Sequence, residues 1–564
     1  MPRLVLLGLV LLTGLAGCNG ASKRSKQVEA PPPVPAAGGS ALRGTIGEMT
    51  FVQGIQKMRV RGYGLVAGLG KNGSRICPEH IRQRVASEMR STYRIGDSRI
   101  GLGDMSAEKL IGDPDTSVVL VTGDIGAGAV RGTRFDLQIQ ALPETDTVSL
   151  EGGRLYACDL RYYRSVDMST VQEGKVIARG EGPVFLLPDA DDAGDELRRS
   201  ALIIAGGVNQ DDRRLSLQLV TPSYALAARI QDRINTRFGE GQRLASAQSP
   251  GLVTLDVPAS FQSRELEFLN RVQHLFLSED SESRAPELIV ELEDPQAAHD
   301  SIGLALEGIG QTVRPLVRPL YDHKISVVRF IGARTGLRLG DEVACAPLEA
   351  FARSSGDPFQ LPAIAELGAA QDVRRASRAL TQLTHQLDGK DERLALYEAL
   401  LRHEPALLEA EPLDGQTTLD VLPVRGPPLI YVKTHGQTRI AVLGDARCRT
   451  PMFYKHPRGL LQISAQPGDD YLTVFRQTPR GLLSPPSPCR TQAADLIRLL
   501  GSRARQNRTG DVTGLGISFS QIVEVLRDLC ADGSLDAELI VEPTETLAAP
   551  AEQHEWIGRP GSEL

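Results

Sequence analysis

Gly62-Tyr63-Gly64-Leu65-Val66-Ala67-Gly68-Leu69-Gly70 interleaves four glycines with five apolar or aromatic residues, and Gly54 and Gly73 stand just outside. Glycine has no Cβ and accepts positive φ at little steric cost, so such a run lets another group approach the backbone closely. Either the glycines make room for a phosphate, or they let a strand and its turn pack tightly. The spacing decides against phosphate. A Walker loop ending at Gly70-Lys71 needs glycine where Leu65 stands and Ser or Thr where Asn72 stands. A dinucleotide fingerprint needs a helix opening at its third glycine, whereas Lys71-Asn72-Gly73-Ser74 reads as a turn. Close packing is the expectation, with Gly62, Gly64, Gly68, Gly70 and the later pair Gly152-Gly153 as structural glycines.

The surrounding chain has 564 residues, enough for several domains at roughly one per 150. It is 41% hydrophobic and 24% charged with a net charge of −7, which argues against a basic nucleic-acid binder. An aromatic content of 4% argues against stacking platforms for sugars or bases.

At the N-terminus, Arg3 precedes a leucine-rich run from Leu4 to Leu15, too short for a membrane span and suited to a signal-peptide core. It ends in Leu15-Ala16-Gly17-Cys18, which resembles the lipobox of bacterial lipoproteins. That resemblance implies a signal peptide over 1–17 and a lipid on Cys18. Asn19 in place of aspartate implies the outer membrane, with the body in the periplasm. Residues 18–44, holding Pro31-Pro32-Pro33-Val34-Pro35 and a Gly-Gly-Ser, read as a tether. Cys77, Cys158, Cys345, Cys448, Cys489 and Cys530 remain. An exported chain is permitted disulfides. Cys77–Cys158 and Cys448–Cys489 each fall within one module and are the candidate pairs; isolated buried thiols are the alternative.

From Thr45 to Arg164 the pattern is strand and turn. Val118 to Thr122 is a β-branched run, Phe135 to Gln140 alternates, and Ser149 to Leu155 reads as strand, turn, strand. A helix over 79–92 would place Ile81, Val85 and Met89 on one face. Leu215, Leu217 and Leu219 alternate as a strand before a helix carrying Leu226, Ile230, Ile234 and Phe238 and stopped by Gly239. Residues 252–257 return to strand and 263–277 to helix.

In this order the segments resemble the flagellar P-ring protein family. Met49-Thr50-Phe51-Val52-Gln53-Gly54 before the glycine stretch is similar to that family's "VQG" and "GYGLVVGL". Residues 118–122, 131–136, 149–155, 178–180 and 215–239 follow in the family's sequence. Near the other end, Ser518 and Gln521 form a capping-box candidate ahead of Ile522, Val525, Leu526, Leu529 and Cys530. Gly533 would stop that helix and Ala537 to Val541 would close as a strand, which resembles the family's terminal segment.

Residues 295–412 have no counterpart there and read as helical throughout. Val327 to Ala333 and Val373 to Leu380 are alike in type, and Asp341 and Asp388 close the two units. This resembles HEAT-type repeats; a non-repetitive helical subdomain fits the pattern too. The expected fold is α+β and multidomain: a P-ring-like region over 45–294, a helical insertion over 295–412, a P-ring-like C-terminal region over 413–545 and a tail over 546–564.

No catalytic constellation emerges. The nine histidines lack zinc spacing, no serine sits in a G-x-S-x-G elbow, and the acidic run Asp189 to Glu196 lacks calcium-loop spacing. The expectation is a non-enzyme without metal or cofactor. The family resemblance implies a subunit of the flagellar basal-body P ring, a periplasmic bushing around the rod that serves motility. Its implied partners are other copies of itself, rod and outer-membrane L-ring proteins, and peptidoglycan, with the membrane reached through Cys18. The alternative is a non-flagellar outer-membrane lipoprotein scaffold or binding module on the same fold.

Overall fold

The computed structural model describes residues 41, 43–92, 106–165, 171–186, 198–261, 264–371, 373–413, 417–434, 437–456, 461–476, 484–503, 505–506 and 512–542. Cys18, the signal-like segment, nearly all of the tether, the acidic run and the 546–564 tail lie outside them.

After a single helical turn, α1 (Ile46–Met49), come β1 (Thr50–Gln53) and β2 (Met58–Ala67). The glycine stretch forms the second half of β2 and the turn that leaves it. Two helices follow, α2 (Glu79–Thr92) and α3 (Ala107–Ile111). Then β3 (Thr116–Ile125), β4 (Arg134–Ala141), β5 (Arg154–Ser165), β6 (Val171–Pro183) and β7 (Ser200–Asn209) close with β2 into a barrel of order β2-β3-β4-β7-β6-β5. Closure leaves no edge strand exposed. The β-branched run makes Val119 and Val121 interior residues, and the alternation over 135–140 turns Leu137 and Ile139 inward beside Leu155, Leu160 and Ile203. The outer side of β2 is covered by α2, through Leu65 against Ile81, Val85 and Met89, the helix face read from the sequence. One expectation fails locally. Ser149 and Leu150 are not strand; Leu150 N–H bonds the Arg198 carbonyl as an isolated contact, and strand begins at Arg154.

The chain then builds a second unit from β8 (Leu215–Leu219), α4 (Tyr224–Phe238), β9 (Ala245–Ser249), β10 (Leu252–Leu255) and α5 (Glu265–Gln273). The antiparallel sheet β1-β8-β10-β9 packs Leu215, Leu217, Leu219 and Val253 against Ile230 and Ile234 of α4 and Phe268 of α5. Ser223 Oγ caps α4 by accepting the Leu226 N–H, and the Gly239 N–H closes its end on the Asn235 carbonyl. The α5 helix is shorter than the 263–277 expected. Its exit is recruited as extended chain, with Phe276 bridging Thr45 and the Leu275 carbonyl accepting the Ile46 N–H.

Helices dominate the middle: α6 (Ala285–Glu291), α7 (His299–Ile309), α8 (Arg314–Val317), α9 (Ser326–Arg338), α10 (Cys345–Arg353), α11 (Gln360–Ala369), α12 (Arg374–Leu383) and α13 (Lys390–His403). They lead into β11 (Glu411–Pro412), β12 (Thr418–Leu422), β13 (Leu429–Lys433), β14 (Arg439–Leu443), β15 (Met452–Lys455), β16 (Leu461–Ala465), β17 (Tyr471–Arg476), β18 (Ser487–Arg490), α14 (Ala493–Gly501), the short pair β19 (Arg505–Gln506) and β20 (Val512–Thr513), α15 (Phe519–Ala531) and β21 (Glu538–Val541). The protein is thus a mixed α+β fold in which several sheets, one a small barrel, are interrupted by helical segments.

The helical core does not respect residues 295 and 412. One apolar cluster runs from Phe276 and Ala285 through the helices to Leu422, Leu429, Tyr431, Ala441 and Leu443 on one face of the sheet β11-β12-β14-β13-β21. The opposite face, with Leu419, Ile430, Ile440 and Val442, packs on α14, α15 and the antiparallel sheet β15-β16-β17-β18. The final strand, β21, lies parallel to β13. A small cluster of Phe185 and Leu202 with Val432 and Val523 joins the barrel to this C-terminal part.

Candidate functional site

The glycine stretch lies at a close approach of two barrel strands, β2 and β5. Between Arg61↔Arg161 and Val66↔Leu155 the ladder advances five residues along β2 and six along β5, so β5 carries an extra residue there. A Cβ added at Gly62 would stand 2.3 Å from the Asp159 carbonyl oxygen. One at Gly64 would stand 2.6 Å from Leu155 Cδ1 and 3.3 Å from Cys158 Sγ. At Gly153 it would meet Val66 at 2.5 Å and Leu69 at 2.7 Å. Gly68, Gly70 and Gly152 serve differently, at φ values of +87°, +65° and +69°.

The turn does hold an anion, but it is the chain's own. The N–H groups of Gly68 and Gly70 both donate to the Asp115 carboxylate, and the Leu69 N–H donates to the Asp115 carbonyl. A phosphate would have to displace this carboxylate.

All six described cysteines are free thiols, so neither Cys77–Cys158 nor Cys448–Cys489 is bridged in this structure. Cys158 lies in the barrel core and burial raises its pKa far above the ordinary thiol range. Burial pushes Cys448 and Cys489 each up to about 12. Thiols held protonated in this way are poor nucleophiles.

Charged residues missed in the sequence form the strongest polar site. Glu267 and Arg271 come from α5, Glu307 from α7, Arg338 from α9 and Glu366 from α11. Arg271 pairs with Glu267 at 2.8 Å and Glu307 at 3.0 Å; Arg338 pairs with Glu366 at 2.6 Å and Glu307 at 3.5 Å. The Glu307 side chain is 5% exposed. Glu267 and Arg271 stand at i and i+4 on one helix, the one signal visible beforehand. A second cluster centres on Asp341, which accepts from Arg318 at 2.8 Å and from the Tyr321 hydroxyl at 2.9 Å. A third centres on Asp420, fully buried, which takes Arg439 at 2.9 Å and the Tyr397 hydroxyl at 2.6 Å. These arrangements satisfy buried charge and organise packing.

Among the described residues no group of three His, Cys, Asp or Glu is arranged to hold a metal ion. A shallow cleft of about 250 Å³ beside Arg318, Tyr321, Asp322, Val343 and Pro347 falls below the usual size of a small-molecule pocket, and its arginine is already committed to Asp341. Among the same residues no helix is long and apolar enough to cross a membrane.

Among the described residues, the glycines at close approaches, the buried thiols and the three ionic clusters serve the protein's own packing. Residues 45–285, which hold the barrel and the sheet packed by α4 and α5, match the family model of the flagellar P-ring protein. The chain is 27% identical over 349 residues to the flagellar P-ring protein of Anaeromyxobacter sp. (strain K), an alignment covering 58% of this chain and 83% of that protein. The corresponding protein of Anaeromyxobacter dehalogenans is 27% identical with coverages of 58% and 82%. That of Geobacter metallireducens is 25% identical with coverages of 43% and 63%. The chain is a distant relative of the flagellar P-ring proteins. The family match does not include residues 518–541, whose helix and strand nevertheless take the form read from the sequence, with the Ser518 N–H donating to Gln521 Oε1 and Gly533 at φ +76°.

Proposed function

We propose that this chain is a structural subunit of the flagellar basal-body P ring, or of a close variant, without catalytic activity. One observation carries the reading: an alignment over 83% of a flagellar P-ring protein's length, with residues 45–285 holding both the barrel and the neighbouring sheet. A ring requires heterologous contacts that close by rotation, so the partner is first of all another copy of the chain. Around that ring the family relationship supports the rod, the outer-membrane L ring and peptidoglycan as neighbours. A lipid on Cys18 would tether the body to the outer membrane from the periplasmic side. A second reading, a lipoprotein scaffold outside the flagellum, is favoured by the Leu15-Ala16-Gly17-Cys18 motif and by the large helical segment.

Detergent-extracted basal bodies from the native cell should contain the chain as ring material; its absence from basal bodies of a flagellated cell overturns the ring. Cys18→Ser should abolish lipid labelling and release the protein from membranes washed at high salt, and unchanged lipid labelling overturns the anchor.

A further inference from the structure

Between residues 295 and 412 most arginines are engaged: Arg314 and Arg318 with Asp341, Arg329 with the His323 carbonyl, Arg334 with Asp300, Arg338 with Glu366, Arg353 with Gln386 and Arg393 with the Pro427 carbonyl. Arg374, Arg375, Arg378 and Arg402 are the exceptions. All four are exposed, and their guanidinium groups make no ion pair or hydrogen bond among the described residues. They are also neighbours. Three lie on α12, and the end of α13 is fastened beside that helix, with Gln371 donating to the Arg402 carbonyl at 2.9 Å and Ser377 to Glu404 at 2.8 Å.

Folding does not account for this cluster. Arg374 and Arg375 open α12, where the helix end already carries partial positive charge and cations are disfavoured. No acidic residue lies in the helix. Of the carboxylates nearby, Glu349 is engaged by Arg353, Glu404 accepts from the Ser377 hydroxyl, and Glu342, which like Glu349 and Arg375 acts on Cys345, forms no ion pair with the four arginines; Asp372 precedes the helix in sequence, outside the described residues.

We infer that this face of α12, with Arg402, is an electrostatic docking surface for an anionic phospholipid bilayer. The chemistry around the arginines selects that partner. The apolar residues of α12 (Ala376, Ala379, Leu380 and Leu383) are all buried, so the exposed face lacks the apolar centre of a protein–protein interface and the apolar stripe of an inserting helix. It also carries no aromatic ring on which a sugar could stack. What remains is an exposed array of guanidiniums, suited to a plane of phosphate headgroups that attracts each basic residue without insertion. This does not rest on the ring reading. With a lipid on Cys18 it would add a second, charge-based attachment.

The test is sedimentation of the full chain carrying Cys18→Ser with vesicles of phosphatidylethanolamine alone or mixed with phosphatidylglycerol. The expected result is binding to the anionic vesicles only, weakened by salt, and lowered at least about tenfold by combined Arg374→Gln, Arg375→Gln and Arg378→Gln. The corresponding triple lysine variant should retain most of the binding, which separates charge from any loss of fold. Equal binding by the glutamine variant, equal binding to uncharged vesicles, or binding to purified peptidoglycan sacculi with none to vesicles overturns the inference.

Discussion

At Gly62 a single methyl group would collide with a backbone carbonyl 2.3 Å away, and only separation of β2 from β5 could relieve it. Gly70 offers a contrast within the same nine residues, because its added Cβ meets nothing within 4 Å and its sole penalty is the left-handed φ of +65°. Gly62→Ala should therefore destabilise the barrel by about 1–3 kcal/mol or more, as overpacking does, and Gly70→Ala by about 1 kcal/mol. Hydrogen exchange of β2 and β5 amides measures both, and equal effects would contradict the steric account. The alternation of glycine with apolar residues, and the failure of nucleotide spacing, made close packing readable in advance. The identity of the approaching group, a bulged segment of β5 nearly a hundred residues away, was not, because register is a property of two strands. Asp341 carries a pH prediction. The hydrogen bond from Arg318 is the largest cause holding its carboxyl below the usual carboxylate range, outweighing burial, with Tyr321 and the Val343 N–H adding to it. A carboxyl whose pKa falls on folding stabilises above its unfolded value, about 3.9, and loses that contribution as pH drops through the folded value. Asp341→Asn should melt lower than wild type at neutral pH and lose less on acidification. Parallel melting curves down to about pH 2 would remove Asp341 from the acid response.

The helices gain their coherence from charges that amphipathic patterning treats as surface. Glu267 and Arg271 on α5, Glu307 on α7, Arg338 on α9 and Glu366 on α11 converge where the P-ring-matched segment meets the helical one. Arg338 sits nearest the centre, with three carboxylates within 4 Å. Replacing one partner of a buried ionic group leaves charge without compensation, at about 3–5 kcal/mol. Arg338→Ala should cost about that much and loosen α5 and α9 together in hydrogen exchange; loss of protection in α9 alone would show that the network does not couple the segments. Elements with strong apolar periodicity, such as α2, α4 and α15, were legible to within a residue or two. The network was not, since buried and exposed Arg–Glu pairs look alike until tertiary contacts are known.

Across the whole molecule, the helical segment that reads as an insertion shares its core with the C-terminal sheet. The helices of residues 295–412 bury one face of the sheet β11-β12-β14-β13-β21, through Leu422, Leu429, Tyr431, Ala441 and Leu443. Composition changes near residue 412, so a sequence reading cuts there, while burial continues across the cut because a sheet has two faces and both need cover. A variant joining residue 294 directly to 413 tests this. If the helical segment were a separable addition, the remainder would fold without it and stay free of aggregation in dilute solution. The geometry predicts otherwise. Removing the helices bares these apolar positions on one sheet face and takes Glu307, Arg338 and Glu366 away from Arg271 and Glu267. An exposed contiguous apolar face of this kind drives association. The shortened chain should therefore aggregate by size-exclusion chromatography and lose amide protection in β12, β13 and β14. The barrel, with its own closed core, should keep protection in β3 and β4. Protection lost equally in the barrel would mean that the contact of Phe185 and Leu202 with Val432 and Val523 makes the whole chain one cooperative unit.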